Sequence, residues 1–223
     1  MREIYAYDGM IPVIDPTAFV HDTAVIIGDV IVGPGCYIGP AAVLRGDFGR
    51  IRVAEASNVQ ETCVIHSFPN QEVILEKNSH IGHGAVLHGC HIGENVLIGM
   101  NSVVMDKAAI GRDCIVGALS FIKAGAVFEV GQMIVGAPAR AIRPLKQREI
   151  DWKKRGTGVY QALARVAPRK LKKTTPLDCE EPDRRQVRAP DYDPLLTDRL
   201  SQMDWLDTTE ESVNPGRNRD DTH

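Results

Sequence analysis

The sequence predicts an all-β fold, a parallel β-helix closed by a C-terminal α-helix, on three observations. Aliphatic residues recur every six positions, glycine often follows them, and a small or modest residue stands four positions after them. From Val20 the aliphatic series runs through Ile26, Val32, Ile38 and Leu44. It slips in phase through Ile51, Val59 and Ile65, then resumes at Ile81, Leu87, Ile92, Ile98, Val104, Ile110, Val116 and Ile122. A period of six is neither helical periodicity nor strand alternation alone. It suits a short strand and a tight corner, with the aliphatic inward and glycine taking the corner geometry. Three hexads make one triangular coil, and coils stack about 4.8 Å apart.

The elements follow in order. Residues 1–19 are a lead-in and residues 20–137 are the β-helix, with Val135-Gly-Ala-Pro-Ala-Arg140 a turn-rich exit. Residues 138–167 are a helical segment, its apolar positions Leu145, Ile150, Trp152, Val159, Leu163 and Val166 spaced among charges. Gly156 and Gly158 are expected to break that segment in two. A helix beside a β-helix is expected to cover a flank. Residues 168–223 open with Arg169, Lys170, Lys172 and Lys173, then carry prolines and mixed charges, and read as a largely extended or disordered tail. Within it, Pro194 to Leu206 has the pattern of a short docking helix.

Composition narrows the function. The net charge of −3 argues against wholesale nucleic-acid binding. The N-terminal residues lack an apolar stretch and no apolar run reaches membrane length, so neither a signal peptide nor a membrane partner is expected. The five cysteines show no CxxC spacing. Cys36, Cys63, Cys90 and Cys114 fall within the repeat and read as buried structural thiols, consistent with a cytoplasmic protein.

Five of seven histidines fall between residues 66 and 91. With Leu44, Ile51 and Val59 on faces one, two and three of one coil, Ile65, Ile74 and Ile81 occupy the same faces of the next. Leu87 returns to face one. His66 follows Ile65 and His88 follows Leu87, so they share a corner on successive coils. Two imidazoles so placed can share a metal at about 2.1 Å each. His83 lies two residues past Ile81, on face three, and points away from that pair within one chain. A single ion bound by all three needs His83 from another subunit, which predicts a metal at a trimer interface; the alternative is histidines on a solvated corner or in a polar interface. Three neutral histidines and one open position form a catalytic zinc pattern. His80 and His91 read as surface residues or as supports of the trio. Arg45 lies one coil below His66, and Glu61 one coil below His83. If His83 meets His66 across a seam, Arg45 meets Glu61 there, as a partly desolvated pair or an ordinary subunit salt bridge. Asp47 or Gln60 is positioned to orient a metal-bound water. Tyr160 either reaches the site or packs.

Gly46-Asp-Phe-Gly-Arg50, Asn58-Val-Gln-Glu-Thr62 and Gly82-His-Gly-Ala-Val-Leu-His-Gly-Cys90 resemble the γ-class carbonic anhydrase family. The resemblance implies a left-handed β-helix and a homotrimer. It also implies zinc, or alternatively iron or cobalt, on His66, His83 and His88 between subunits. It carries over the interface arginine and aspartate as Arg45 and Asp47, and the glutamine as Gln60. The acidic residue that follows is usually aspartate in that family and is Glu61 here.

Ile11-Pro-Val13, His66-Ser-Phe-Pro69, Gly99 to Asp106 and Trp152 to Thr157 are similar to the phenylacetate-degradation (PaaY) branch and its carnitine-operon (CaiE) neighbour. This likeness covers about residues 4 to 185. It implies a metal-dependent hydrolase acting on a CoA thioester. The loop Ser67-Phe-Pro-Asn-Gln71 lacks the acidic proton shuttles of efficient carbonic anhydrases, which implies slow CO2 hydration. The rivals are carbonic anhydrase proper, a metal-free hexapeptide acyltransferase with a histidine base, and a non-catalytic trimeric scaffold.

Overall fold

A computed structural model describes residues 3–187 and residue 192. The chain winds as a left-handed parallel β-helix of about seven turns with a C-terminal helix. Face one stacks the strands Val64–His66, Val86–His88, Val103–Val104 and Phe121–Ile122. Face two stacks Val73–Leu75, His91–Ile92, Ala109–Ile110 and Val127–Phe128. Two long strands, Val25–Val32 and Val43–Val53, bend round the corner between these faces and join them into one sheet. Face three is a separate sheet running from Phe19–Val20 through His80–Ile81 to Gln132–Gly136.

Register makes the interior a set of vertical aliphatic columns. On face one the column is Ile26, Leu44, Ile65, Leu87, Val104 and Ile122. On face three it is Val20, Ile38, Val59, Ile81, Ile98, Val116 and Ile134. All of these are buried. Each contributes about 1.5–3 kcal/mol relative to exposure. The inside of a corner has less room, so it takes small residues: Ala24, Ala42, Cys63, Ala85, Ser102 and Ser120 are buried at one such column. Cys36, Cys63, Cys90 and Cys114 are buried free thiols whose pKa values burial raises, which fits a structural role.

Three details differ from the sequence reading. On face two the inward residue is Leu75, paired with Val53 and Ile92, while Ile74 pairs with Arg52 and His91 on the outward side. The bulge at Ser67–Gln71 shifts the phase by one residue there. The exit does turn, at Ala137–Pro138, but the start of the expected helical segment is a strand: Ala139–Pro144 folds back antiparallel on Gln132–Gly136. Helix α1, Gln147–Lys170, is continuous through Gly156 and Gly158. Its docking on face three outweighs the roughly 1 kcal/mol that each internal glycine costs. Residues 171–187 are without helix or strand and almost wholly exposed. The segment from Pro194 to Leu206 lies outside the described residues.

Helix α1 starts on a capping box. The Glu149 carboxylate accepts from the Lys146 backbone N–H at 2.7 Å and from both terminal nitrogens of Arg143 at 2.8 and 2.7 Å. The Arg143 hydrogen bonds hold the buried Glu149 carboxyl below its ordinary pKa. Tyr160, Ala164 and Ala167 pack on Phe19 and Tyr37. The buried Lys153 ammonium donates to the carbonyl of Asn78 and, at 2.8 Å, to Asn95 Oδ1. Among the described residues no helix is long and apolar enough to cross a membrane.

Candidate functional site

The register pairs His66 with His88 directly across adjacent strands of face one. Their rings stand with Nδ1 of His66 3.2 Å from Nε2 of His88. Each ring is fixed from behind by a carboxylate. His88 Nδ1 lies 2.6 Å from Asp106 Oδ1, and His66 Nε2 lies 3.1 Å from Asp47 Oδ1. An ionised carboxylate only accepts, so each of those ring nitrogens carries the proton. In the neutral imidazoles the opposite nitrogens, His66 Nδ1 and His88 Nε2, both carry lone pairs, and they face one another.

Arg45 donates to the other oxygen of Asp47 at 2.7 Å. Burial raises the Asp47 pKa, but this arginine outweighs it and the carboxyl sits below its ordinary range. Burial, then the charge of Arg45, holds the His66 pKa below its ordinary value. Phe48 and Phe68 wall the pair, with ring centroids 5.2 Å from His66 and 5.0 Å from His88. Gly89 adopts a positive φ of 52°, and a Cβ there would stand 2.3 Å from Asp106 Oδ1. Glycine is therefore what lets Asp106 approach His88.

His83 stands at a different corner, between faces three and one. Its Nδ1 lies 2.5 Å from Glu61 Oε2, and the Tyr37 hydroxyl donates to Glu61 Oε1 at 2.9 Å. Burial, then Glu61, raises the Tyr37 pKa, so its proton stays on the oxygen. The structure thus brings together Arg45, Asp47, His66 and His88, and separately Glu61 and His83. Within one chain Arg45 engages Asp47 and Glu61 engages His83; a seam between Arg45 and Glu61 involves two chains. Among the described residues no three His, Cys, Asp or Glu side chains converge in one chain as a metal set.

Gln60 is buried beneath α1. Its Nε2 lies 3.0 Å from Asn58 Oδ1 and 2.6 Å from His80 Nε2. His80 is not a surface residue: its ring sits under Tyr160, and burial lowers its pKa to about 3. Tyr160 packs between Tyr37 and His80. His91 is exposed and pairs with Glu76 at 2.8 Å. Sequence reasoning missed Asp106 and Tyr37. The usable signal for Asp106 was coil length, because it lies 18 residues, or three hexads, after His88.

A family profile described as bacterial transferase hexapeptide (six repeats) matches residues 89–124. The carnitine operon protein CaiE of Escherichia coli (strain K12) is 50% identical over 185 residues, covering 83% of this chain and 94% of that protein. CaiE of Proteus sp. (strain LE138) is 48% identical over 186 residues, with 83% and 94% covered. Among solved structures, a hexapeptide transferase family protein from Anaplasma phagocytophilum superposes with a TM-score of 0.71 at 36% identity, covering 74% of this chain and 98% of that one. A candidate acetyltransferase from Bacillus cereus gives 0.72 at 34%, covering 73% and 95%.

Proposed function

This chain belongs to the hexapeptide-repeat family that includes the carnitine operon proteins CaiE, and on that premise we propose that it is a trimeric, metal-dependent hydrolase of activated acyl compounds. The observation that carries the reading is the pair of facing ring nitrogens, His66 Nδ1 and His88 Nε2, 3.2 Å apart, each with a carboxylate on its ring's opposite nitrogen. Two such nitrogens repel unless a cation lies between them. Nitrogens that share a tetrahedral zinc at about 2.1 Å stand about 3.4 Å from each other, so the spacing fits one ion. The carboxylates behind both rings are the outer support that metal-bound histidines take. Iron or cobalt suits the same donors.

His83 of a neighbouring subunit is the third ligand in this reading. A column of outward apolar residues supports the subunit contact. Val25, Val43, Val64, Val86, Val103 and Phe121 run in register up face one, beside the histidines. No such continuous column runs up face two, where the outward positions are Ile31, Arg52, Ile74, His91, Ala109 and Val127. A stripe of this kind marks an association surface.

A bound divalent ion supplies Lewis acidity and lowers the pKa of water. The chain's own residues do the rest. Asp47, held ionised by Arg45, orients His66 and presents an acceptor beside the pair. Asp106 holds the His88 ring with Nε2 outward. Phe48 and Phe68, about half exposed in the single chain, offer an apolar wall to an acyl group. Gln60, spent on Asn58 and His80 within its own chain, is the weaker of the two sequence candidates for orienting water. A CoA thioester is the first substrate to try. Aromatic side chains rather than carboxylates stand at the mouth, which supports slow proton export and disfavours carbonic anhydrase as the main activity.

The test is hydrolysis of a short-chain acyl-CoA panel by the native trimer, before and after chelation. The reading expects activity lost on chelation and restored by zinc, iron or cobalt. Activity indifferent to chelation contradicts it. One observation favours a second reading, acyl transfer: the 2.6 Å contact of His88 with Asp106 also suits a histidine general base. Chelator-resistant transfer to an added acceptor would select it.

A further inference from the structure

We infer that Glu61 and Tyr37 form a positioning relay that sets the tautomer of His83 and so prepares its Nε2 to bind a metal. The inference rests on the metal-site reading above. It departs from the seam reading of Glu61, in which that carboxylate pairs with Arg45.

Three observations carry it. First, both oxygens of Glu61 are engaged within its own chain: Oε2 by His83 Nδ1 at 2.5 Å and Oε1 by the Tyr37 hydroxyl at 2.9 Å. A carboxylate so engaged keeps little capacity for a bidentate arginine. Second, Arg45 already has a carboxylate, Asp47, at 2.7 Å. Third, the anchor is rigid. Tyr37 is only 5% exposed and its ring is stacked on Phe19 at 5.4 Å and edge-on to Tyr160 at 5.4 Å. His83, by contrast, has a side chain 45% exposed. An exposed imidazole turns freely unless something behind it holds one nitrogen. The buried tyrosine holds the glutamate, and the glutamate holds the histidine.

The chain length of Glu61 matters here. Register places Glu61 one coil from His83, across the pairing of Val59 with Ile81. The extra methylene of glutamate over aspartate lets one carboxylate bridge from the tyrosine, on the coil before, to the histidine, on the coil after. With Nδ1 protonated toward Glu61, Nε2 presents its lone pair outward. All three candidate ligands then share one design, a protonated nitrogen on a carboxylate and a free nitrogen away from it. Asp47 serves His66, Asp106 serves His88 and Glu61 serves His83. Glu61 is the most exposed of the three carboxylates, at 33% against 13% for Asp47 and 11% for Asp106, and the buried Tyr37 hydroxyl supplies the anchor that fixes it.

The experiment pairs two readouts on the full-length protein: ¹⁵N–¹H correlation spectra of the histidine rings in metal-free protein near pH 8.5, and zinc affinity by chelator competition. The wild type is expected to show His83 as the Nδ1–H tautomer. Glu61→Gln, whose amide has a single acceptor oxygen to serve two donors, loses that preference and binds zinc tenfold to a hundredfold more weakly. Tyr37→Phe keeps the ring packing but releases Glu61 Oε1, so the Nδ1–H preference weakens and zinc binding falls a fewfold, less than in Glu61→Gln. A wild-type His83 in the Nε2–H form, or averaged between tautomers, overturns the inference. So does a Glu61→Gln spectrum and affinity that match the wild type. If the wild type binds no zinc while His83 is still the Nδ1–H tautomer, the relay stands and the metal reading falls.

Discussion

Face one and face three both carry an in-register column of outward residues, yet the chain treats them differently. Face three presents Phe19, Tyr37, Asn58 and His80 in register, and α1 lies over them. Face one presents its valine column with no such cover from the described residues. The difference teaches where the histidines belong. On face three the aromatic residues anchor a glutamate behind His83. On face one the His66–His88 pair stands beside an apolar stripe suited to a neighbouring copy. The proposed site is therefore completed by association, with a rigid support from the covered face of one chain and a converging pair from the open face of the next.

The largest expected effect breaks the open face chemically. His88→Ala should reduce bound metal from about one per chain to near zero, read by elemental analysis of the size-exclusion peak. Next, Val86→Glu places an unpaired charge on the apolar column. Such a buried charge costs about 3–5 kcal/mol, enough to weaken assembly more than about 100-fold. Light scattering across a dilution series checks it, and His91→Glu on face two should leave assembly unchanged. The adjacent residue sharpens the contrast, because Leu87 points inward from the same strand. Leu87→Ala should cost about 2–5 kcal/mol in chemical denaturation. It should do so without changing subunit number.

The smallest effect probes the covered face. Burial lowers the Lys153 pKa from its ordinary 10.5 to about 7. The unfolded chain therefore binds more protons than the folded one between about pH 7 and 10.5. Stability must rise with pH through that window and is penalised below it. Measured against Lys153→Met, which does not titrate there, the wild type should gain up to about 1 kcal/mol per pH unit between pH 7 and 10. A flat difference would mean that Lys153 is not enclosed as described.

The coil architecture was legible because six-residue spacing maps directly onto faces. The pairing of His66 with His88 followed from counting, since each trails an inward aliphatic by one position. Phase failed at Ile74, where the bulge absorbs residues that spacing alone cannot apportion. It failed again at Gly156 and Gly158, where local propensity says break and docking on face three says continue. Asp106 could have been read from its spacing of 18 residues from His88, whereas Tyr37 could not, because its hydroxyl reaches Glu61 by side-chain direction that register does not give. Glu61 was seen as a partner for Arg45 of a neighbouring chain, while its contacts within its own chain, to His83 and Tyr37, were not. Reach, which decides its partner, is a property of side-chain geometry rather than of register.

The most direct test of a site divided between subunits is complementation. His66→Ala and His83→Ala proteins, each purified alone, should bind no metal at the centre. Coexpressed and isolated as mixed trimers, they should recover about one third of the wild-type metal, because each mixed trimer has one interface of three with an intact pair on one side and an intact His83 on the other. No recovery in trimers shown by mass to be mixed, or full metal in either variant alone, would contradict the account.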